Sequence, residues 1–220
     1  MSSTDTALTI CNRSRACHGV HYMKTARRIP PLVLALAAIA ALAITAPAGM
    51  AAPAGKQAPE WDISEWINSE PISVAELRGK VIVIEFFQLW CPGCNSFSIP
   101  LMHKWEQMFR QEASEGRIAF MSIHTVFEGR SFQTPERLRR FLKEKEIRHP
   151  VGIDRHIGGN RLPETMQRYN TMGTPEIAII DKFGIIRLQR FGFFEPAKGE
   201  QLIRILLDEQ FVQEKASLTR

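Results

Sequence analysis

The sequence predicts an α/β fold: a central mixed sheet flanked by helices, with a helix-strand insertion in the middle. Three observations predict it. Residues Val81–Phe87 read V-I-V-I-E-F-F, a β-branched and aromatic run of the kind found in strands buried on both faces. Strand and helix patterns alternate from Ile118 to Tyr169, which implies right-handed crossovers. The last third changes to two strands, Glu176–Ile180 and Ile185–Phe191, joined by the short turn Asp181-Lys182-Phe183-Gly184, where Gly184 suits positive φ.

Before that domain the chain carries an appendage. Lys24, Arg27 and Arg28 precede an apolar run from Ile29 to Ile44, and small residues at A-x-A spacing follow as far as Ala54. Residues 23–54 thus read as a secretory signal peptide cleaved after Ala48 or Ala54, or as a signal anchor if uncleaved. Such a signal starts most naturally at Met23. Residues 1–22 then read as a non-native upstream extension or a disordered leader, and Cys11, Cys17, His18 and His21 as incidental.

Residues 55–220 are left as one domain, large enough for a real core. Of the chain's 28 Lys plus Arg and 23 Asp plus Glu, residues 1–54 hold five and one, so the domain carries 23 against 22. That balance excludes the electrostatic footprint of a nucleic-acid binder. The basic run from Arg137 to Lys145 is interleaved with Glu136, Glu144 and Glu146 and reads as a solvated helix face.

Within the domain, Ala58–Ser69 is an amphipathic opening segment offering Trp61, Ile63 and Trp66 to the core. Ser73-Val74-Ala75-Glu76 has the capping-box pattern, and Gly79 can end the short turn it starts. After the central strand, Pro92 suits a first helical turn, and Phe97, Leu101, Trp105 and Met108 recur at helical spacing. Ile118–Val126 reads as a second buried strand. Thr134 caps a helix with Pro135 at its first position, Val151–Asp154 is a short strand and Pro163–Tyr169 a helix. An amphipathic helix from Gly199 to about Gln213 closes the chain.

Cys91 and Cys94 sit where the core strand meets a helix N-terminus, in W-C-P-G-C. Free N–H groups and the helix dipole there favour a thiolate, so Cys91 is the candidate nucleophile. The two-residue spacing lets Cys94 join it as a disulfide and release a mixed intermediate by attacking its sulfur. Zinc would need two further ligands, and His103, His124, His149 and His156 are not paired at ligand spacing, so neither a metal nor another cofactor is expected. A bridge closing so short a loop would also gain little as a structural staple.

With these residues in place, the chain resembles the thioredoxin superfamily, in particular its exported TlpA/ResA-like and AhpC/TSA-like redoxins. The resemblance is carried by A-P-E-W at Ala58, the S-V-A-E-L-R-G-K-V-I-V-I lead-in and W-C-P-G-C. Gly173-Thr174-Pro175, ahead of I-A-I-I-D-K-F-G-I-I-R, completes it. It implies a cis Pro175 beside the cysteines, the backbone of Thr174 open to pair with a substrate strand, and Trp90 flanking the site. Phe127–Tyr169 looks like the insertion of this branch. Glu85 stands six residues before Cys91, where thioredoxins carry a buried aspartate. Walled by Val, Ile and Phe it should hold a proton near neutrality and serve Cys94 as a base, unless a Lys, an Arg or backbone donors pair it. One departure is that Pro100 lies six residues after Cys94 where the family has five, so the helix kink shifts or one residue is looped out.

The resulting expectation is an exported, periplasmic thiol-disulfide oxidoreductase acting on protein thiols or disulfides, with a membrane electron donor suggested by the family. Alternatives are a peroxiredoxin-like peroxidase, against which Ile84 and Gln88 stand at the positions of that chemistry's Pro and Thr or Ser, and a non-catalytic binding module. His124, at a strand end, reads as a satisfied polar residue rather than a site residue.

Overall fold

A computed structural model describes residues 55–211; the extension and signal segment expected over 1–54 lie outside the described residues, as do residues 212–220. Among the described residues, seven strands form one mixed sheet: β1 (Lys56–Gln57), β2 (Ile63–Ile67), β3 (Val81–Phe87), β4 (Ile118–His124), β5 (Val151–Asp154), β6 (Glu176–Ile180) and β7 (Ile185–Phe191). Their order across the sheet is β1-β7-β6-β3-β4-β5-β2. β3 and β4 are parallel, as are β4 and β5, whereas β6 runs antiparallel to both β3 and β7.

All seven residues of β3 are buried, as its unbroken apolar run demands. Its alternate side chains feed two cores. Val81 and Val83 pack with Leu101, Met102 and Trp105 of α1 (Ile99–Met108) and with Ile203 and Leu206 of α5 (Pro196–Asp208). Ile82, Ile84 and Phe86 face Trp61, Val74, Leu77 and Tyr169 on the other side.

The remaining helices are α2 (Arg110–Ser114), α3 (Pro135–Glu144) and α4 (Glu164–Tyr169). The insertion between β4 and β6 thus contributes α3, β5 and α4, with β5 joining the sheet beside β4. Thr134 Oγ1 accepts from the Arg137 N–H at 3.4 Å, capping α3. The capping box forms reciprocally: Ser73 N–H donates to Glu76 Oε2 at 2.8 Å, and Glu76 N–H to Ser73 Oγ at 3.2 Å. Gly79 and Gly184 take positive φ of 86° and 72°.

Some boundaries differ from expectation. The opening segment is an edge strand, β2, paired antiparallel with β5. β4 stops at His124 rather than Val126 because its pairing with both neighbours ends there. α5 begins at Pro196, which suits a first turn, and ends at Asp208 rather than Gln213. Among the described residues, no helix is long and apolar enough to cross a membrane.

Trp105 is fully buried between sheet and α5, its Nε1–H donating to Glu200 at 3.2 Å. Trp105→Ala is expected to cost about 3–5 kcal/mol of unfolding free energy, measured by urea denaturation.

Candidate active site

β3 ends at Phe87, and a helical turn opens at Pro92, so the chain must reverse over Gln88–Cys91. That reversal sets the cysteines. Cys91 and Cys94 are disulfide-bonded with Cα atoms 5.2 Å apart, and the Cys94 N–H donates to Cys91 Sγ at 3.1 Å. Cys91 retains slight exposure at 7%, whereas Cys94 has none, so an incoming group can reach only the first sulfur. Asn95 holds the loop from inside, its Nδ2 donating to Leu89 O at 2.9 Å and Cys91 O at 3.0 Å.

The extra residue before Pro100 is accommodated in the helix itself. Residues Cys94–Ser98 form a wide π turn, closed by Ile99 N–H donating to Cys94 O, and α1 continues from there. Looping-out within the helix, rather than a shifted kink, is what the structure shows.

The Thr174–Pro175 bond is cis. Pro175 lies against the cysteine loop so closely that a Cβ added at Gly93 would stand 2.9 Å from its Cδ. Glycine at 93 is therefore required by the close approach. Beside it opens a recess of about 450 Å³ lined by Gln88, Trp90, Cys91, Pro92, Phe127, Glu128 and Thr174. Trp90 is 44% exposed at its rim and stacks on Phe132 at 5.5 Å, with the Arg137 guanidinium 3.9 Å from the centroid of the Phe132 ring. Trp90 packs and lines at once.

Glu85 lies on the α1 side of the sheet and is fully buried. Among the described residues, no lysine or arginine pairs with it. Ser98 Oγ donates to its Oε1 and Ser122 Oγ to its Oε2, the latter at 2.9 Å. Burial raises its pKa above the usual carboxylate range, opposed by the Ser98 bond, by His149 and by the Ser122 bond. Ser98 is four residues beyond Cys94 in the π turn, which places both on the helix's inner side. Ser122 is opposite Glu85 in the β3–β4 register.

A second buried network was not anticipated. Gln133 Oε1 accepts from Leu89 N–H at 2.9 Å and from His124 Nε2 at 3.3 Å, while its amide nitrogen donates to Gln88 Oε1. Gln88 in turn donates to Thr174 Oγ1 at 3.4 Å. His124 is thereby a satisfied residue, tied through Gln133 and Gln88 to the cis-proline loop. Gln133 carries no motif and Gln88 stands out in sequence only as the residue in place of a peroxidase's Thr or Ser; their burial in a site made of three separated segments is what joins them.

The sequence model of the AhpC/TSA family matches residues 54–189. The chain belongs to the AhpC/TSA family. This AhpC/TSA chain is similar, at 42% identity and a TM-score of 0.66, to a crystal structure of a thioredoxin-like superfamily protein, covering 70% of its own length and 97% of the other's. A thiol-disulfide isomerase from Corynebacterium glutamicum matches at 38% identity and a TM-score of 0.64, over 70% of this chain and 98% of that one. Protein DipZ of Mycobacterium bovis is 27% identical over 153 residues, which is 67% of this chain and 20% of DipZ. The chain therefore spans about a fifth of that relative's length. The fold is thioredoxin-like.

Burial pushes the pKa of His124 down from its ordinary 6.5 to about 4, against the Gln133 bond, which raises it. Between those values the unfolded chain binds the proton and the folded one does not, so stability is whole above pH 6.5 and drains as pH falls toward 4. The loss amounts to about 3 kcal/mol. His124→Gln is expected to flatten that acid slope in denaturant titrations run across the same range.

Proposed function

We propose that the chain is an exported thiol-disulfide oxidoreductase in which Cys91 attacks and Cys94 resolves. In the reducing direction, the Cys91 thiolate attacks one sulfur of a protein disulfide, that S–S bond breaks, and one substrate thiolate leaves. Glu85 then takes the proton of Cys94, whose sulfur attacks Cys91 Sγ. The mixed disulfide breaks, the second substrate thiolate leaves, and Cys91–Cys94 is oxidised to the bridge described above. Two electrons pass to the substrate.

The observation that carries this reading is the cysteine pair at the strand-to-helix junction, with Pro175 packed against Gly93 of the loop that joins the two cysteines. Thr174 and Pro175 would dock the partner's strand, and Trp90 would cover its flank. The names of the matched relatives, which include a thiol-disulfide isomerase, support the reaction class. The peroxidase alternative is weakened by Gln88, whose side chain is engaged with Gln133 and Thr174 rather than free to hold peroxide. Residues 23–54 would direct export as a signal peptide or anchor, leaving residues 55–220 in the periplasm, and a membrane donor would recharge the dithiol.

Cys91→Ser is expected to bring dithiothreitol-driven reduction of insulin disulfides down to the uncatalysed rate; retained turnover removes the assignment. N-terminal sequencing of the protein purified from its native envelope should start after Ala48 or Ala54 if the signal is cleaved, or at Met23 if it anchors.

A further inference from the structure

Each resolution step delivers a proton to Glu85, a group with no solvent contact. The hydrogen-bonded line through Ser122 does not end in the core. Ser122 Oγ also lies 2.8 Å from His149 Nε2, and His149 Nδ1 lies 2.9 Å from Glu106 Oε1. The side chain of His149 is 4% exposed and that of Glu106 28%, so the line runs from the sealed carboxylate to the surface of α1.

We propose that Ser122, His149 and Glu106 are the route by which Glu85 exchanges its proton with solvent, an assignment that rests on the dithiol reading above. The chemistry of the groups supports it. With the proton on Glu85, its O–H donates to Ser122, Ser122 donates to a neutral His149 at Nε2, and His149 Nδ1–H donates to Glu106. With the proton on His149, both ring nitrogens donate, and Ser122 turns its hydroxyl to the Glu85 carboxylate. Every donor meets an acceptor in both arrangements without moving a heavy atom.

Transfer is then a concerted shift. Glu85 Oε2–H passes its proton to Ser122 Oγ as Ser122 gives its own to His149 Nε2, and His149 Nδ1–H passes its proton to Glu106. One proton leaves Glu85, one arrives at Glu106, and no electrons move. The titratable groups facing the line are Glu85 from β3, His149 from the segment before β5, His103 and Glu106 from α1, and Cys94 when reduced. His103 Nδ1 stands 3.7 Å from Glu106 Oε2, at the solvent end. From β6, the register partner of Glu85 is Ile177, which brings no charge.

Ser122, His149 and Glu106 are positioning and relay residues, so the test must separate them from structural ones. Reduced protein mixed with 5,5′-dithiobis(2-nitrobenzoate) releases one thionitrobenzoate as Cys91 attacks and a second as Cys94 resolves, giving two phases in stopped flow. Ser122→Ala and His149→Gln are expected to lower the ratio of second-phase to first-phase rate about tenfold near neutral pH, and to shift the pH midpoint of the second phase; losing the base itself would cost about 10²-fold or more. Ser122→Thr, which restores the hydroxyl, should recover the phase. Glu106→Gln, at the exposed end, keeps the test decisive if a buried variant does not fold, and should lower the ratio in the same sense. Unchanged ratios and midpoints in the folded variants overturn the route. Absence of any first phase in the parent overturns the dithiol reading itself.

Discussion

β3 is hydrogen-bonded to β4 on one side and β6 on the other, and both of its faces are covered. A strand held this way cannot slide by one residue without sending its whole side-chain set to the wrong core. Its C-terminal end is therefore fixed in space, and the turn Gln88–Cys91 starts from a rigid point. The cysteine pair inherits that rigidity. The same pairing puts Ser122 opposite Glu85 and sets Pro175, one residue before β6, beside the cysteine loop.

Polar groups in such a core must be answered by partners, because an unpaired buried hydrogen-bonding group costs free energy comparable to a lost bond. Two sets meet that demand here. One joins Glu85 to Ser98, Ser122, His149 and Glu106 beneath the cysteines. The other joins His124, Gln133, Gln88 and Thr174 behind the cis-proline loop. Each draws residues from segments far apart in sequence, so loss of one member leaves another exposed to the same penalty.

What sequence could show follows from what is local. The β3 run, the cysteine spacing, the capping box at Ser73, the turn at Gly184 and the Gly-Thr-Pro triplet are each short-range patterns, and the structure displays all of them. Glu85 was legible as a carboxylate in an apolar strand. Its serine partners were not, because Ser98 depends on the phase of a widened helical turn and Ser122 on the register of a strand pair. His149 has no flanking signal, since it reaches the line only through tertiary packing. The end of α5 was misplaced for a related reason: the apolar periodicity runs past Asp208, while the backbone turns away at Glu209.

The wide turn at Cys94–Ser98 has a consequence for how this helix could have acquired its length. An ordinary helix advances about 100° per residue, so an added residue would swing everything downstream by more than a quarter revolution. Leu101, Met102 and Trp105 would leave the sheet and face water. Absorbing the surplus within a single loop of backbone confines the disturbance to one spot and lets the distal half keep its orientation. The cost is one stretch of looser main-chain bonding, and it begins at the residue that carries the second sulfur of the bridge.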